Sequence, residues 1–387
     1  MFLDSNNYAE CCGCGACSDI CPRKAITMNV VHEGFYYPVI DEELCIHCNK
    51  CRNICSFARK DECRSLDQAY YGWHKDDLIR SQSTSGGAFT AICQTLIDMY
   101  GESNVRIYGA SWNESISVCH MSSVSDHEID RIRGTKYIQS ETVEIFKAIK
   151  KDLENGLTVV FSGTPCQVKQ AIDFVGPANT DRLFTIDLVC NGVASPGVFG
   201  DYIKCLEKKY DSKVVSYTFR NKDRDTGSQK YVRIKFASGK EIYTEHDAYY
   251  IAYTRRLLHR RSCFYCQYTC SAHPGDITVS DFWHIEDKIE NLKSERKKGI
   301  SMFMANTNKG ANIINSIQCA NIVNTDFRTR GEVLNPSMIS SNRELFFSKY
   351  SGLTVRKDLR KYIGIKNYLV SYFPGFFRFY YGIRNFK

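Results

Sequence analysis

The sequence predicts a mixed α+β and α/β protein with a small N-terminal domain of the ferredoxin type and a larger α/β domain after it. Three observations predict this. The first 56 residues contain two cysteine runs of identical spacing. From about residue 71, short apolar runs suited to buried strands alternate with helical patterns. No Gly-x-Gly-x-x-Gly motif is present, so the larger domain is not expected to be a Rossmann fold.

The two cysteine runs have the spacing of ligands to 4Fe-4S clusters. Each is C-x2-C-x2-C-x3-C, as in bacterial ferredoxins that hold two clusters. In such ferredoxins the fourth cysteine of each run ligates the other cluster. We therefore assign one cluster to Cys11, Cys14, Cys17 and Cys55, and the other to Cys45, Cys48, Cys51 and Cys21. Pro22 follows the first run and Ser56 follows the second, a departure that changes no ligand.

Disulfides and zinc are the alternative uses of these cysteines. The chain begins MFLDSNNYAE, which has no secretory signal pattern, so its 19 cysteines indicate a reducing cytoplasm. A zinc site would use one or two pairs of cysteines, usually completed by His or further Cys at a wider separation along the chain. Three cysteines at x2 spacing, found twice, favour iron–sulfur clusters instead.

The rest of the chain divides by composition. We expect a two-cluster ferredoxin domain over 1–60, with strands at 25–31 and 35–40 and a polar linker over 57–70. A larger domain over 61–335 follows. Its expected elements are strands at 104–108, 158–162 and 183–189, helices at 87–100, 142–154 and 165–175, and an antiparallel sheet over 212–244 with a turn at Ser238-Gly239.

Residues 336–387 form a basic, aromatic-rich C-terminal extension. Its aromatic and basic residues suit either a helix packed on the body of the protein or a membrane interface. The residues in question are Tyr368, Phe373, Phe376, Phe377, Phe379, Tyr380 and Tyr381, among Lys366, Arg378 and Arg384. No apolar run is long enough to be a membrane span.

The formal net charge of +8 does not indicate nucleic-acid binding. Each 4Fe-4S core with four thiolates carries about −2 when oxidised, so bound clusters cancel most of this excess. The basic residues are also dispersed along the chain. No nucleic-acid partner is expected.

Four further cysteines stand at predicted strand ends or turns: Cys166, Cys190, Cys263 and Cys266. Ligands collect at the carboxyl ends of strands in an α/β sheet, so these thiols could meet around a third cluster. Their spacing alone leaves open unrelated thiols, Cys270 as a rival ligand, and a zinc site that uses Cys263, Cys266 and either Cys270 or His273.

Two segments could hold a phosphate-bearing cofactor. Residues 83–89 (STSGGAF) form a small-residue loop that opens a helix, where backbone N–H groups can bind a pyrophosphate. Residues 133–140 (RGTKYIQS) add a cation, donors and an aromatic ring. A plain helix start and a solvated Lys136 are the alternative interpretations.

These segments, in this order, resemble the family of coenzyme F-420 hydrogenase/dehydrogenase beta subunits, preceded by its ferredoxin module. The resembling pieces are STSGGAFTAI (83–92), RGTKYIQS (133–140), FSGTPCQ (161–167), DLVCNG (187–192), and CFYC with GDITVSDFW (263–283). The resemblance covers roughly residues 1–285. Two departures are Asn191, where bacterial relatives often have His, and Ser280, where the family usually has Gly.

The resemblance implies FAD on a non-Rossmann α/β fold with a 4Fe-4S cluster beside it. By position, the third cluster's ligands fall on Cys166, Cys190, Cys263 and Cys266, and the flavin contacts fall on Ser85, Gly86, Gly87, Lys136, Tyr137, Gln139 and Ser140. The family includes deazaflavin-dependent dehydrogenase subunits, reductases of chlorophyll precursors and bacterial proteins associated with polysaccharide synthesis.

The leading hypothesis is an iron–sulfur flavoprotein oxidoreductase that passes electrons between 4Fe-4S clusters and FAD to act on a small substrate, with polysaccharide biosynthesis as the expected setting. The alternative is an electron-transfer subunit that feeds a partner enzyme; a zinc or nucleic-acid module is a third. Expected partners are an electron donor or acceptor protein or a deazaflavin-type coenzyme. Candidate proton donors are Lys136, Tyr137, Asp281 and His284, with structural hydrogen bonding as the alternative for each.

Overall fold

A computed structural model gives the fold of most of the chain. It describes residues 1–59, 66, 68–123, 128–222, 231–268, 273–283, 289, 292–327, 334–352 and 354–362.

The N-terminal domain contains one hairpin and three short helices. Strands β1 (Ile26–Val30) and β2 (Tyr36–Ile40) pair antiparallel, which confirms the predicted hairpin between the cysteine runs. The helices are α1 (Phe2–Ser5), α2 (Ala16–Asp19) and α3 (Lys50–Asn53). Helices α2 and α3 each carry the third cysteine of a run, so the two halves repeat the same local structure.

An eight-stranded mixed sheet forms the centre of the larger domain. The strands are β3 (Gln68–His74), β4 (Val105–Trp112), β5 (Val118–Ser123), β6 (Thr158–Ser162), β7 (Leu183–Leu188), β11 (Ile277–Asp281), β12 (Ser301–Ala305) and β13 (Ala320–Thr325). They lie in the order β13-β3-β12-β11-β7-β6-β4-β5. The pairs β11–β7, β7–β6 and β6–β4 are parallel, and the others are antiparallel.

Helices cover both faces of this sheet. On one face, α5 (Ala88–Tyr100) and α12 (Asn308–Ser316) pack on the apolar side chains of the central strands. On the other face, α7 (Ile145–Glu154) and α8 (Pro165–Val175) pack on the alternate side chains and on the N-terminal domain. Shorter helices are α4 (Asp77–Gln82), α6 (Ile129–Ile132) and α11 (Lys293–Lys298). A sheet buried on both faces explains why its parallel strands are continuous apolar runs.

A second, three-stranded sheet confirms the alternation predicted over 212–244. Strands β8 (Val214–Thr218), β9 (Val232–Phe236) and β10 (Glu241–Thr244) are antiparallel, and Gly239 lies in the β9–β10 turn at φ +82°. Helices α9 (Pro196–Tyr210) and α10 (Ala248–Thr254) pack on it in one aromatic-rich core.

One expected boundary differs from the structure. The linker expected over 57–70 overlaps β3, which begins at Gln68 because its buried side chains complete the sheet. The described start of the C-terminal extension forms α13 (Ser341–Lys349) and α14 (Val355–Tyr362), whose Phe346, Val355 and Leu359 are buried in the core of the three-stranded sheet. The aromatic and basic residues over 366–384 lie outside the described residues.

Within the described part of the chain, no helix has the length and apolar character needed to cross a membrane.

Candidate iron–sulfur centres and cofactor site

The first predicted ligand set lies at the inner side of the N-terminal domain. We call Cys11, Cys14, Cys17 and Cys55 the inner quartet. The thiolates of Cys11 and Cys55 act on Cys17, and those of Cys17 and Cys55 act on Cys14. Burial, with these neighbouring negative charges, raises the pKa of the Cys17 thiol well above its usual range. Cys55 therefore lies beside the first cysteine run, as predicted from the spacing.

The second set lies nearer the solvent. We call Cys21, Cys45, Cys48 and Cys51 the outer quartet. Cys48 is exposed and the other three are half-buried. Cys48 and Cys51 interact electrostatically, and the Cys21 Sγ accepts a hydrogen bond of 3.3 Å from the Ala25 N–H.

Four later cysteines, far apart in sequence, line one buried cavity. We call Cys166, Cys190, Cys263 and Cys266 the cavity quartet. Cys166 is at the start of α8, where Thr164 and Gln167 form a capping box after β6. Cys190 follows β7, and the remaining pair lies at a 3-10 turn over 261–265. The carboxyl ends of two neighbouring parallel strands thus bring two of these ligands together, as the sequence predicted.

Electrostatic interactions join every pair within the cavity quartet. Cys190 interacts with Cys166 and Cys263, Cys263 interacts with Cys166, and Cys266 interacts with all three. Burial raises the pKa of the Cys263 thiol to about 11. Since cluster ligands are thiolates, iron must displace these protons on binding.

The spacing of these thiols is wider than a single zinc ion requires. Four sulfur ligands around one Zn²⁺ lie about 3.8 Å apart, given a Zn–S bond of about 2.3 Å. In the described part of the chain, Glu42, Cys45 and His47 form the only group of three His, Cys, Asp or Glu residues whose ligand atoms all lie within 4.8 Å of one another. No three sulfur atoms of the cavity quartet are therefore this close together. The cavity quartet therefore suits a larger, multi-iron cluster. Of the alternative zinc ligands, His273 instead contacts Asp187, with its Nδ1 atom 3.2 Å from Asp187 Oδ1. Cys270 is outside the described residues.

Cys12 is a fifth thiol in the cavity, and the sequence analysis did not single it out. It lines the cavity and exchanges hydrogen bonds with Cys14 of the inner quartet and Cys166 of the cavity quartet. Burial and the neighbouring Cys14 raise its pKa. The adjacent pair Cys11-Cys12 was the sequence signal for this fifth thiol. When Cys11 is directed to the inner quartet, Cys12 can face the body of the protein.

Polar side chains of the larger domain hold the inner quartet in place. The Gln170 Oε1 atom of α8 accepts a 3.1 Å hydrogen bond from the Ser56 N–H, and its Nε2 donates to the Ile54 carbonyl at 2.8 Å. The Thr142 hydroxyl donates to the Cys14 carbonyl at 2.6 Å. These contacts fix the second cysteine run against α8 and the first against the segment that precedes α7.

The structure joins part of the predicted flavin site. The Thr135 N–H donates to the Thr84 Oγ1 at 2.7 Å, so the 83–89 loop and the start of the 133–140 segment are in contact. Helix α5 begins after Gly87, which has φ +93°, with no side-chain cap on its first N–H groups. The Ser85 hydroxyl donates to the Ile300 carbonyl, and the Gly86 N–H donates to Ser301 Oγ, both at 2.8 Å.

Lys136 is directed into its own turn. Its Nζ donates to the carbonyls of Ile132, Arg133 and Gly134 at 2.8, 3.1 and 3.1 Å. Burial lowers the pKa of Lys136 to about 7, whereas the three carbonyl acceptors act in the opposite direction by stabilising the ammonium form.

Gln139 and Ser140 lie apart from this loop, beside the cysteine cavity. The Gln139 Nε2 donates to the carbonyls of Cys12 and Gly13, both at 3.2 Å. The Ser140 hydroxyl accepts from Gln167 at 3.0 Å. Gln139 is thus bound to the first cysteine run, and Ser140 is bound to α8 of the larger domain.

Tyr137 and Asp281 meet at Arg220. The Tyr137 ring stacks on Tyr250 with centroids 5.4 Å apart, and its hydroxyl hydrogen-bonds Arg220. Arg220 binds the Asp281 carboxylate in a two-pronged contact of 2.5 and 2.9 Å and is buried. Asp281 is therefore held as the counter-ion of Arg220. His284 lies outside the described residues.

The position of Asn191 is next to a buried histidine. The His259 Nε2 donates to the Asn191 carbonyl at 2.6 Å, and a Cβ on Gly192 would lie 2.3 Å from the His259 ring. Burial lowers the pKa of His259 to about 3, so its imidazole is neutral at pH 7. The other departure, Ser280, donates its hydroxyl to the Asp281 carbonyl at 3.1 Å.

Comparisons with known proteins match two parts of the chain. Residues 156–328 match the family model for the C-terminal part of the coenzyme F420 hydrogenase/dehydrogenase beta subunit, and residues 10–58 match that of the 4Fe-4S dicluster domain. One of the subunits of the F(420)H(2) dehydrogenase of Methanosarcina mazei is 26% identical over 190 residues, which are 46% of this chain. The chain spans about half the length of this curated relative, 53%.

A solved chain is also similar. In the xenon-derivatized F420-reducing NiFe hydrogenase complex from Methanosarcina barkeri, one chain aligns at 15% identity and a TM-score of 0.45, over 80% of this chain and 97% of that one.

The dicluster domain and its cysteines define an iron–sulfur protein. More particularly, residues 156–328 are similar to the coenzyme F420 hydrogenase/dehydrogenase beta subunit family and residues 10–58 to a 4Fe-4S dicluster domain, which confirms the resemblance found in the sequence.

Proposed function

We propose that the chain is an iron–sulfur flavoprotein oxidoreductase that carries electrons from the outer quartet through the inner and cavity quartets to FAD, which acts on a small substrate. One observation carries the proposal: four cysteines from distant parts of the chain line a single cavity, against the inner quartet. A thiol cavity placed there is what a third centre in an electron path requires. A substrate of polysaccharide biosynthesis remains an expectation from the family resemblance.

When bound, 4Fe-4S clusters take up and release single electrons, and FAD converts these to two-electron chemistry. The chain's own residues set the order of the centres. Cys48 is open to solvent for contact with a donor, Gln170 and Thr142 hold the inner quartet against the body, and Cys12 spans the gap to the cavity quartet.

The uncapped start of α5 supports the flavin part of the proposal. Its first N–H groups have no side-chain cap, and an anionic group is stabilised at such a helix start. The Arg133 side chain, which donates to Thr90 Oγ1 at 3.1 Å, lies beside this turn. Residues 83–87 and 133–137 would therefore hold the pyrophosphate and the adjoining part of FAD.

Anaerobic purification with metal, sulfide and flavin analysis tests the proposal. We expect about twelve irons and one FAD per chain, and about eight irons in Cys166→Ala. In contrast, Cys205→Ala should keep all twelve, because Cys205 lies on α9 and contacts the aromatic core. Eight irons in the wild-type protein, or zinc without sulfide, would contradict the third centre.

The alternative function is an electron-transfer subunit without a substrate of its own. This alternative is favoured because several polar groups of the predicted flavin site already bind protein atoms. Lys136 Nζ and the Ser85 hydroxyl, for example, donate to backbone carbonyls. Anaerobic reduction of dyes by a reduced deazaflavin or ferredoxin, with the lone protein, separates the two. Turnover of a small organic acceptor without a partner protein would exclude the subunit role.

The proposed compartment is the cytoplasm. The 19 cysteines of the chain and the iron–sulfur centres proposed for twelve of them fit a reducing environment. A deazaflavin-type coenzyme or a ferredoxin is the electron partner that we propose.

A further inference from the structure

Arg260 is a fully buried cation at the junction between the N-terminal domain and the cysteine cavity. It is 0% exposed. Its Nε donates to the Cys11 carbonyl at 2.7 Å, and its two terminal nitrogens donate to Gln139 Oε1 at 2.9 Å and the Tyr36 carbonyl at 3.0 Å. The guanidinium carbon also lies 3.9 Å from the centre of the Tyr37 ring.

All of these partners are neutral. Among the described residues, no carboxylate lies within ion-pair distance of Arg260. Three other buried arginines differ, because Arg80 pairs with Glu295, Arg220 with Asp281 and Arg343 with Glu33. Arginine stays protonated in proteins, and an isolated buried charge is costly. Arg260 therefore needs an anion that the carboxylates of the described residues do not supply.

Thiol sites flank Arg260 on both sides. On one side its Nε binds the backbone of Cys11, the first residue of the inner quartet. On the other side it lines the cavity, and its carbonyl accepts a 3.0 Å hydrogen bond from the N–H of Cys263.

We propose that the iron–sulfur centres of the inner and cavity quartets are the shared counter-charge of Arg260, and that Arg260 raises the reduction potentials of both. This inference rests on the proposed function, because it needs a cluster in the cavity. Reduction adds one electron, and so one negative charge, to an already anionic cluster. A cation between the two clusters stabilises each reduced form more than each oxidised form. Among the described residues, Arg260 makes no hydrogen bond to a residue of the outer quartet, so the outer cluster is the internal reference.

The test is a redox titration of the anaerobic full-length protein, followed by electron paramagnetic resonance of each cluster. In Arg260→Gln we expect the reduction equilibrium constants of the inner and cavity clusters to fall at least tenfold, about 59 mV for a one-electron couple, while the outer cluster is unchanged. Arg260→Lys keeps the charge, and its constants should stay within tenfold of the wild type. Arg80→Gln is the matched control, since its charge is already paired and lies away from the quartets.

Unchanged potentials in Arg260→Gln at full iron content would overturn the inference, as would an equal fall at all three clusters. If Arg260→Gln does not assemble its clusters, Arg260→Lys is the deciding variant. A fall of more than tenfold in the reduction equilibrium constants of its inner and cavity clusters overturns the inference, and retained potentials support it. Failure of the proposed function is distinguishable, because it appears as eight irons in the wild-type protein before any variant is made.

Discussion

At the scale of single residues, small and neutral groups decide how closely the N-terminal domain approaches the body. Gly13 lies where the backbone passes the Arg260 and Gln139 side chains. A Cβ there would be 2.3 Å from Gln139 Nε2 and 2.9 Å from an Arg260 terminal nitrogen. Only glycine leaves room for the hydrogen bonds that these side chains make to the first cysteine run.

We therefore expect Gly13→Ala to destabilise the protein by about 2–4 kcal/mol, the sum of the strain at φ +72° and the clash with buried side chains. The matched control is Gly156→Ala, which has φ +82° and no atom within 4 Å of the new Cβ, and should cost only about 1–2 kcal/mol. Urea unfolding followed by circular dichroism measures both. Equal losses in the two variants would contradict the close approach at Gly13.

His120 gives the fold a dependence on pH. It is buried on β5, stacks on Phe161 with ring centres 5.3 Å apart, and its Nε2 donates to the Ser162 carbonyl at 3.0 Å. Burial lowers its pKa to about 4, below the ordinary value of 6.5. Between these values the unfolded chain binds a proton that the folded chain does not, so stability falls as the pH falls from about 6.5 to 4.

Replacing His120 by Phe should flatten this dependence, because the ring is kept and the titration is removed. We expect the wild-type protein to lose about 1–2 kcal/mol more than His120→Phe between pH 7 and pH 5. Unfolding midpoints at both pH values measure the difference. Parallel losses in the two proteins would show that His120 is protonated in the folded state.

At the scale of elements, a buried ion pair joins the ferredoxin hairpin to a C-terminal helix. Glu33, in the turn between β1 and β2, binds Arg343 of α13, with Arg343 also donating to the His259 carbonyl at 3.0 Å. Arg261 adds a second cation at 3.4 Å from the Glu33 carboxylate. Helix α13 is thereby part of the surface on which the ferredoxin domain rests.

Removal of Arg343 leaves the buried Glu33 carboxylate with only the half-buried Arg261 as its cation among the described residues, so Arg343→Met should destabilise the protein by about 3 kcal/mol, the low end of the cost of breaking a buried ion pair. The double variant Glu33→Gln with Arg343→Met should lose less than the sum of the single losses. As a control, Lys204→Ala removes a surface pair with Asp201 in which the Lys204 side chain is 77% exposed, and should change stability by less than about 1 kcal/mol. Additive losses in the double variant would refute a direct pair.

At the scale of the whole molecule, the three cysteine quartets differ in their access to solvent and in the elements around them. Cys48 of the outer quartet is exposed, the inner quartet lies against α8, and the cavity quartet lies inside the larger domain. An electron entering at the surface would therefore move inward from one quartet to the next.

This difference in solvent access predicts the sequence of cluster loss. On treatment with an iron chelator under air, we expect about four irons to leave in a fast phase and the remainder slowly, because Cys48 of the outer quartet is the one exposed thiol among the described cysteines. Iron release measured against time gives the phases, and electron paramagnetic resonance identifies the cluster that is lost. The variant Cys48→Ala should lack the fast phase. Simultaneous loss of all irons from the wild-type protein would contradict this difference in solvent access.

The sequence by itself determined the features that depend on local spacing. The cysteine runs predicted the dicluster domain, and alternation and apolar runs predicted strands such as Thr158–Ser162 and the helix Pro165–Val175. These follow from contacts between residues that are near in the chain.

Only the tertiary structure decided which distant residues meet. It placed Cys12 in the cavity, set Arg260 between two thiol sites, turned Gln139 toward the ferredoxin domain, and brought α13 onto the hairpin of residues 26–40. Such contacts depend on how two domains pack, and the packing is set by the combined shape and charge of surfaces far apart in sequence. A local pattern contains neither of these, so the cysteines could predict an electron path but not the residues at its junction.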